Sequence, residues 1–109
     1  MNKRIKEEWV KALESSEYPF GKGQLRDNTK DDLTCFCAFG VLCDLYAKEK
    51  KIEWDNDYHF INDVAMEGPV PLKVLLWAEI GPSINSRIVA LNDRNNSFEL
   101  VTKYIKEEL

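Results

Sequence analysis

Along the first fifteen residues, apolar positions recur at helical spacing. Ile5, Trp9, Ala12 and Leu13 stand between lysines, an arginine and glutamates, which predicts an amphipathic helix over 2–15 with one apolar stripe. The pattern then breaks. Residues 15–32 carry Pro19, Gly21, Gly23 and Asn28 among Asp and Lys, the composition of a long exposed connection holding a short hairpin around 24–26. From 34 to 48 nearly every face is apolar, through Phe36, Phe39, Val41, Leu42, Cys43, Leu45, Tyr46 and Ala47. A helix that is apolar all round is a buried one, so this stretch is predicted as the central helix. Gly40 costs that helix about 1 kcal/mol against alanine, which implies that another backbone or a ligand approaches there; packing is the simpler reason. Lys48, Glu49, Lys50 and Lys51 read as its solvated end, with cations at the negative pole of the dipole.

Farther on, Trp54, Tyr58, Phe60, Ile61 and Val64 alternate irregularly with Asp and Asn, consistent with a short strand or hairpin within 52–68. Pro71 is placed at the first turn of a helix through Leu72, Leu75, Leu76 and Ile80, stopped by Gly81 and Pro82. Ile84, Ile88 and Leu91 predict a short helix broken by the polar run 92–96. Ser97 then caps a last helix that turns Phe98, Val101, Ile105 and Leu109 inward. The expected fold is mainly α (α+β): a single domain over 1–109 with a central buried helix. The N-terminal, middle and C-terminal helices pack around it, together with a short β-hairpin.

Composition narrows the partners. With 109 residues, 44% hydrophobic and 31% charged, the chain can bury one real core. Fifteen Lys and Arg against nineteen Asp and Glu leave a net charge of −4, which disfavours an undirected grip on a nucleic-acid backbone or an anionic membrane. The longest apolar run, 35–42, is far short of the roughly 20 residues that span a bilayer. No apolar core or cleavage site of a secretory address follows the charged N-terminus. Cys35, Cys37 and Cys43, an odd number packed closely together, fit free thiols in a reducing compartment, so a cytoplasmic location is expected.

Three constellations bear chemistry. Cys35 or Cys37 at the start of the central helix would meet unpaired N–H groups and the positive dipole end, which favour a reactive thiolate. With His59, the sole histidine, as base and Asn92 or Asp93 as orienter, Cys37 would complete a nucleophile set. Buried structural thiols explain the same cysteines, and their spacing is poor for zinc. No metal or cofactor is expected. The second constellation is Lys22, Gln24 and Arg26 in a Gly-containing loop, which together could hold a phosphate or carboxylate; an ordinary turn with solvated charges is the competing account. The third is Asn92 and Asp93, suited to helix capping or to reading a ligand's polar edge. Trp9, Trp54 and Trp77 are expected in or beside the core, with Trp54 also able to act as a stacking platform.

Trp9-x-x-Ala12-Leu13, Tyr18-x-x-Gly21-x-Gly23-x-Leu25-Arg26, Phe36-Cys37-x-x-Gly40-Val41-Leu42-Cys43-Asp44 and Leu91-Asn92-Asp93 with Ser97-Phe98 form one ordered set. In these motifs the chain resembles a loose family of small, functionally uncharacterised proteins of bacteriophages and their bacterial hosts. It departs from that pattern at Ala38, where a further cysteine is usual, and at Phe20, where a glutamine is. The first departure weakens any mechanism that needs adjacent thiols. The resemblance implies a host-takeover or anti-defence setting and carries no catalytic residues.

The sequence therefore supports a non-enzymatic binding protein first. Lys22, Gln24, Arg26, Cys37, Asn92 and Asp93 would line a site for a small anionic, nucleotide-like signalling ligand. The alternatives are an inhibitor that presents an acidic surface to a host protein and the cysteine-nucleophile enzyme. Self-association into a homo-oligomer is compatible with the pattern, but no heptad repeat specifies it.

Overall fold

The computed structural model describes residues 1–22, 25–30, 33–53, 66–67 and 70–109. Helix α1 spans Lys3–Glu14, and the Asn2 side chain caps it by accepting from the Ile5 N–H at 3.0 Å. Its apolar stripe buries Ile5, Trp9 and Leu13. The Trp9 Nε1–H donates to the Ala38 carbonyl at 2.9 Å, so a core indole satisfies its one polar atom while tying α1 to the start of the next helix.

The segment that follows is not the open connection expected from its glycines and charges. Tyr18 and Leu25 are buried, and Phe20 forms a parallel bridge with Phe36. The Gly21 N–H donates to the Phe36 carbonyl at 2.7 Å, and the Phe36 N–H to that of Pro19 at 2.8 Å. Strands β1 (Arg26–Lys30) and β2 (Leu33–Phe36) then pair antiparallel, with Arg26 opposite Phe36 and Asp27 opposite Cys35. The hairpin thus lies later than 24–26 and draws Thr34, Cys35 and Phe36 out of the predicted helix. Pairing with distant backbone overrides their local pattern, as suits a segment containing threonine and phenylalanine.

Helix α2 accordingly runs over Ala38–Lys50 with Cys37 at its N-cap and Lys51 in the left-handed region (φ 56°) closing it. Residues 38–43, Tyr46 and Ala47 are all buried, which makes α2 the centre of the core, packed by α1, α4 and α3. A Cβ on Gly40 would lie 1.7 Å from the Leu25 carbonyl oxygen. The glycine is therefore there for backbone packing.

Residues 54–64 of the stretch predicted as a strand or hairpin lie outside the described residues; within 52–68 the structure describes β3 (Met66–Glu67), antiparallel to β4 (Val70–Pro71). Helix α3 spans Leu72–Ala78 with Pro71 at the N-cap rather than within the first turn. Val74 and Leu75 are buried while Leu76 is 68% exposed, so the inward face differs from the predicted one. Helix α4, Pro82–Arg94, passes straight through Asn92 and Asp93. Those residues were expected to break it. Helix α5, Glu99–Glu108, starts from Phe98 with Ser97 Oγ accepting from the Glu99 N–H, and it buries Val101 and Ile105 against α1 and α4. The fold is mainly α with short antiparallel pairs, as the pattern predicted. No described helix is long and apolar enough to cross a membrane.

Candidate functional site

The motif residues meet where α2 begins. Asn92 in the last turn of α4 is 2% exposed, and its carboxamide joins three stretches of chain. Its Oδ1 accepts from the Ala38 N–H at 2.9 Å, and its Nδ2 donates to the Gly21 carbonyl at 3.1 Å and to Asp93 Oδ1 at 3.3 Å. The expectation that Asn92 caps a helix end is met, but the helix is α2 and not its own. Cys37 completes the arrangement. Its Sγ accepts from the Gly40 N–H at 3.3 Å, and its own N–H donates to the Leu25 carbonyl at 3.3 Å.

This geometry determines what the start of α2 can do. A helix N-terminus attracts anions because its first N–H groups lack partners. Here Ala38 and Gly40 already donate to Asn92 and Cys37. The thiol also behaves opposite to the expected activation: burial pushes Cys37 up to about 11, against the amides of Gly40 and Phe39, and Asp93 adds to the rise. Cys43, fully buried in α2, is likewise raised by burial first and by Cys37 next. Desolvation of the charged form outweighs the dipole, so neither Cys37 nor Cys43 is poised as a thiolate.

The other predicted residues are placed unevenly. Lys22 is exposed beside Gly21, Arg26 is partly buried at the start of β1, and Asp93 is exposed on α4. Gln24 and His59 lie outside the described residues, as does Trp54. Trp9 is in the core; Trp77 is partly buried, edge-on to Tyr46, and its Nε1–H donates to Glu49 Oε2 at 2.7 Å. Among the described residues no group of three or more His, Cys, Asp or Glu could hold a metal ion.

Two features escaped the sequence reading. The Tyr18 hydroxyl donates to Asp44 Oδ2 at 2.5 Å and accepts from Lys48 Nζ at 3.2 Å, joining two of the motifs in one cluster. Burial, then the Asp44 hydrogen bond, pushes the Tyr18 hydroxyl above its ordinary range. On the other side of Tyr18 an open hollow of about 790 Å³ runs to α5, over Leu13, Phe20, Phe98 and Thr102. Both features depend on residues far apart in sequence, and only the presence of Tyr18 and Asp44 in the motif set signalled them.

Fold and site together define a small α-rich domain whose polar junction is occupied by its own backbone and side chains. The chain belongs to the family described as a domain of unknown function, DUF8296, whose model matches residues 1–86. No curated protein and no solved structure matches it. The match ends inside α4, short of Asn92 and of α5.

Proposed function

We propose that the protein is a non-catalytic binding protein that engages another protein through its acidic helical surface. The observation that carries this reading is the closed junction of Gly21, Cys37, Ala38 and Asn92. The groups best placed for chemistry are committed to one another, and the Cys37 thiol is held protonated. Among the described residues, what remains for function is the outer surface; the chain's net charge of −4 steers toward cationic partners. In the phage setting that the sequence resembles, such a protein acts as a host-takeover or anti-defence factor by blocking a host protein.

A second reading is favoured by one observation. The Asn92–Gly21 bond holds Gly21, the neighbour of Lys22, at the end of α4, so a small anionic, nucleotide-like ligand could be held there by Lys22, with Arg26 following in the chain. Mass spectrometry of the purified protein, native and then denatured, separates the two. A stoichiometric protein complex with no released small molecule supports the protein-binding reading. A released nucleotide-sized mass, lost in Arg26→Ala, replaces it with the second.

A further inference from the structure

The hollow beside Tyr18 has a chemistry of its own. Its floor is aromatic and aliphatic: Leu13, Tyr18, Phe20 and Phe98, with the Phe20 and Phe98 rings edge to face at 5.1 Å. Helix α5 supplies the rim. Glu99, Lys103 and Glu107 follow at four-residue spacing, which lines them up along one side of the helix. None of the three belongs to an ion pair among the described residues, whereas Lys106 and Glu14 neutralise each other at 2.8 Å. The uncompensated rim therefore carries two carboxylates against one ammonium.

An aromatic floor under carboxylates suits a cation borne on an apolar stem, because ring faces and carboxylates attract the charge while the stem covers the rings. One ring of the floor already holds such a group on the α2 side: Lys48 Nζ lies 5.5 Å from the centroid of Tyr18. A purely apolar occupant would strip water from Glu99 and Glu107 without replacing it. An anionic one would meet the same carboxylates and a negatively charged chain.

We propose that this hollow seats an arginine- or lysine-bearing segment of a partner protein, with the side-chain stem on Phe20 and Phe98 and the charged head at the Glu99 carboxylate, a turn away from Lys103. The inference rests on the protein-binding reading and gives it a location and a partner chemistry.

The test uses the full chain, isotope-labelled, titrated with a capped peptide of alternating arginine and leucine and with its glutamate counterpart. The arginine peptide is expected to shift Phe20, Phe98 and Thr102 resonances and to bind at least about tenfold more tightly than the glutamate peptide, with affinity falling as salt rises. The pair Glu99→Gln and Glu107→Lys, both on the exposed side of α5, should weaken it by about tenfold without lowering the unfolding midpoint. Equal binding of the two peptides, or affinity unchanged in the double variant, overturns the proposal. So do shifts at the hollow that depend on protein concentration alone, which would make the occupant a second copy. If the arginine peptide binds at another acidic surface, the hollow is wrong and the protein-binding reading stands. If neither peptide binds and native mass spectrometry shows no protein partner, both fall.

Discussion

Asn92 caps a helix to which it does not belong: its Oδ1 accepts from the Ala38 N–H at 2.9 Å, at the first residue of α2. An asparagine cap normally serves the helix that follows it in sequence. This one comes from the last turn of α4 and also holds the Gly21 carbonyl. Asn92→Ala would leave a buried donor, the Ala38 N–H, and a part-buried acceptor, the Gly21 carbonyl, without their partner. The expected loss is about 2–4 kcal/mol, combining a lost cap with unsatisfied buried groups. Urea unfolding measures it, and a change below about 0.5 kcal/mol, the scale of a neutral surface substitution, would remove Asn92 from the junction.

Gly40→Ala sets two effects against each other. Helix propensity alone would stabilise α2 by about 1 kcal/mol. The added methyl would lie 1.7 Å from the Leu25 oxygen and 2.7 Å from its carbonyl carbon, and backbone cannot yield as a flexible side chain can. Overpacking wins, so the variant should lose about 3 kcal/mol or more, or fail to fold. A thermal scan reads the sign directly.

At neutral pH Cys37 should alkylate slowly. Moving a thiol from 9.0 to about 11 lowers its thiolate fraction about 100-fold. Mass-resolved labelling with iodoacetamide checks this against a free cysteine peptide, and a rate matching the peptide would revive the nucleophile reading. The same shift has a stability consequence. The folded state favours the neutral thiol, so the Cys37 contribution is fully present below pH 9 and is lost as pH rises toward about 11. Alkaline denaturation should therefore be less steep in Cys37→Ser, which also restores a preferred capping hydroxyl.

A chain cut after residue 86, where the family match ends, should not unfold cooperatively. It would lack Asn92, Phe98, Val101 and Ile105, the last two fully buried. Burying each such side chain contributes about 1.5–3 kcal/mol, so together they rival the roughly 5–15 kcal/mol that holds a small domain folded. Circular dichroism with a urea titration would show whether α1 to α3 can stand alone.

What the sequence disclosed follows the reach of each interaction. Helix α1 was legible because Ile5, Trp9 and Leu13 repeat within one element. The start of α2 was misplaced because Thr34, Cys35 and Phe36 are claimed by strand pairing, with Phe36 opposite Arg26, ten residues back. Asn92 and Asp93 look like breakers by propensity, yet Asn92 stays helical because its side chain has a better partner across the core. Of the candidate site, Cys37 and Asn92 were legible as residues that meet, one at the N-cap of α2 and the other on the Ala38 N–H beside it. The site's state was not, since whether a cysteine at a helix start is activated depends on burial as much as on the dipole.

The Asn92 carboxamide also bears on how the chain reaches its folded state. Its two backbone partners lie 54 and 71 residues away along the sequence, so both bonds close only after α4 has docked against α2 and the 18–21 segment is in place. Long loops of this kind form late. Their removal should then appear in the unfolding limb of a chevron plot: Asn92→Ala unfolds faster while its refolding rate stays near that of the parent chain. One amide would thus govern how long the domain persists once formed, more than how quickly it forms.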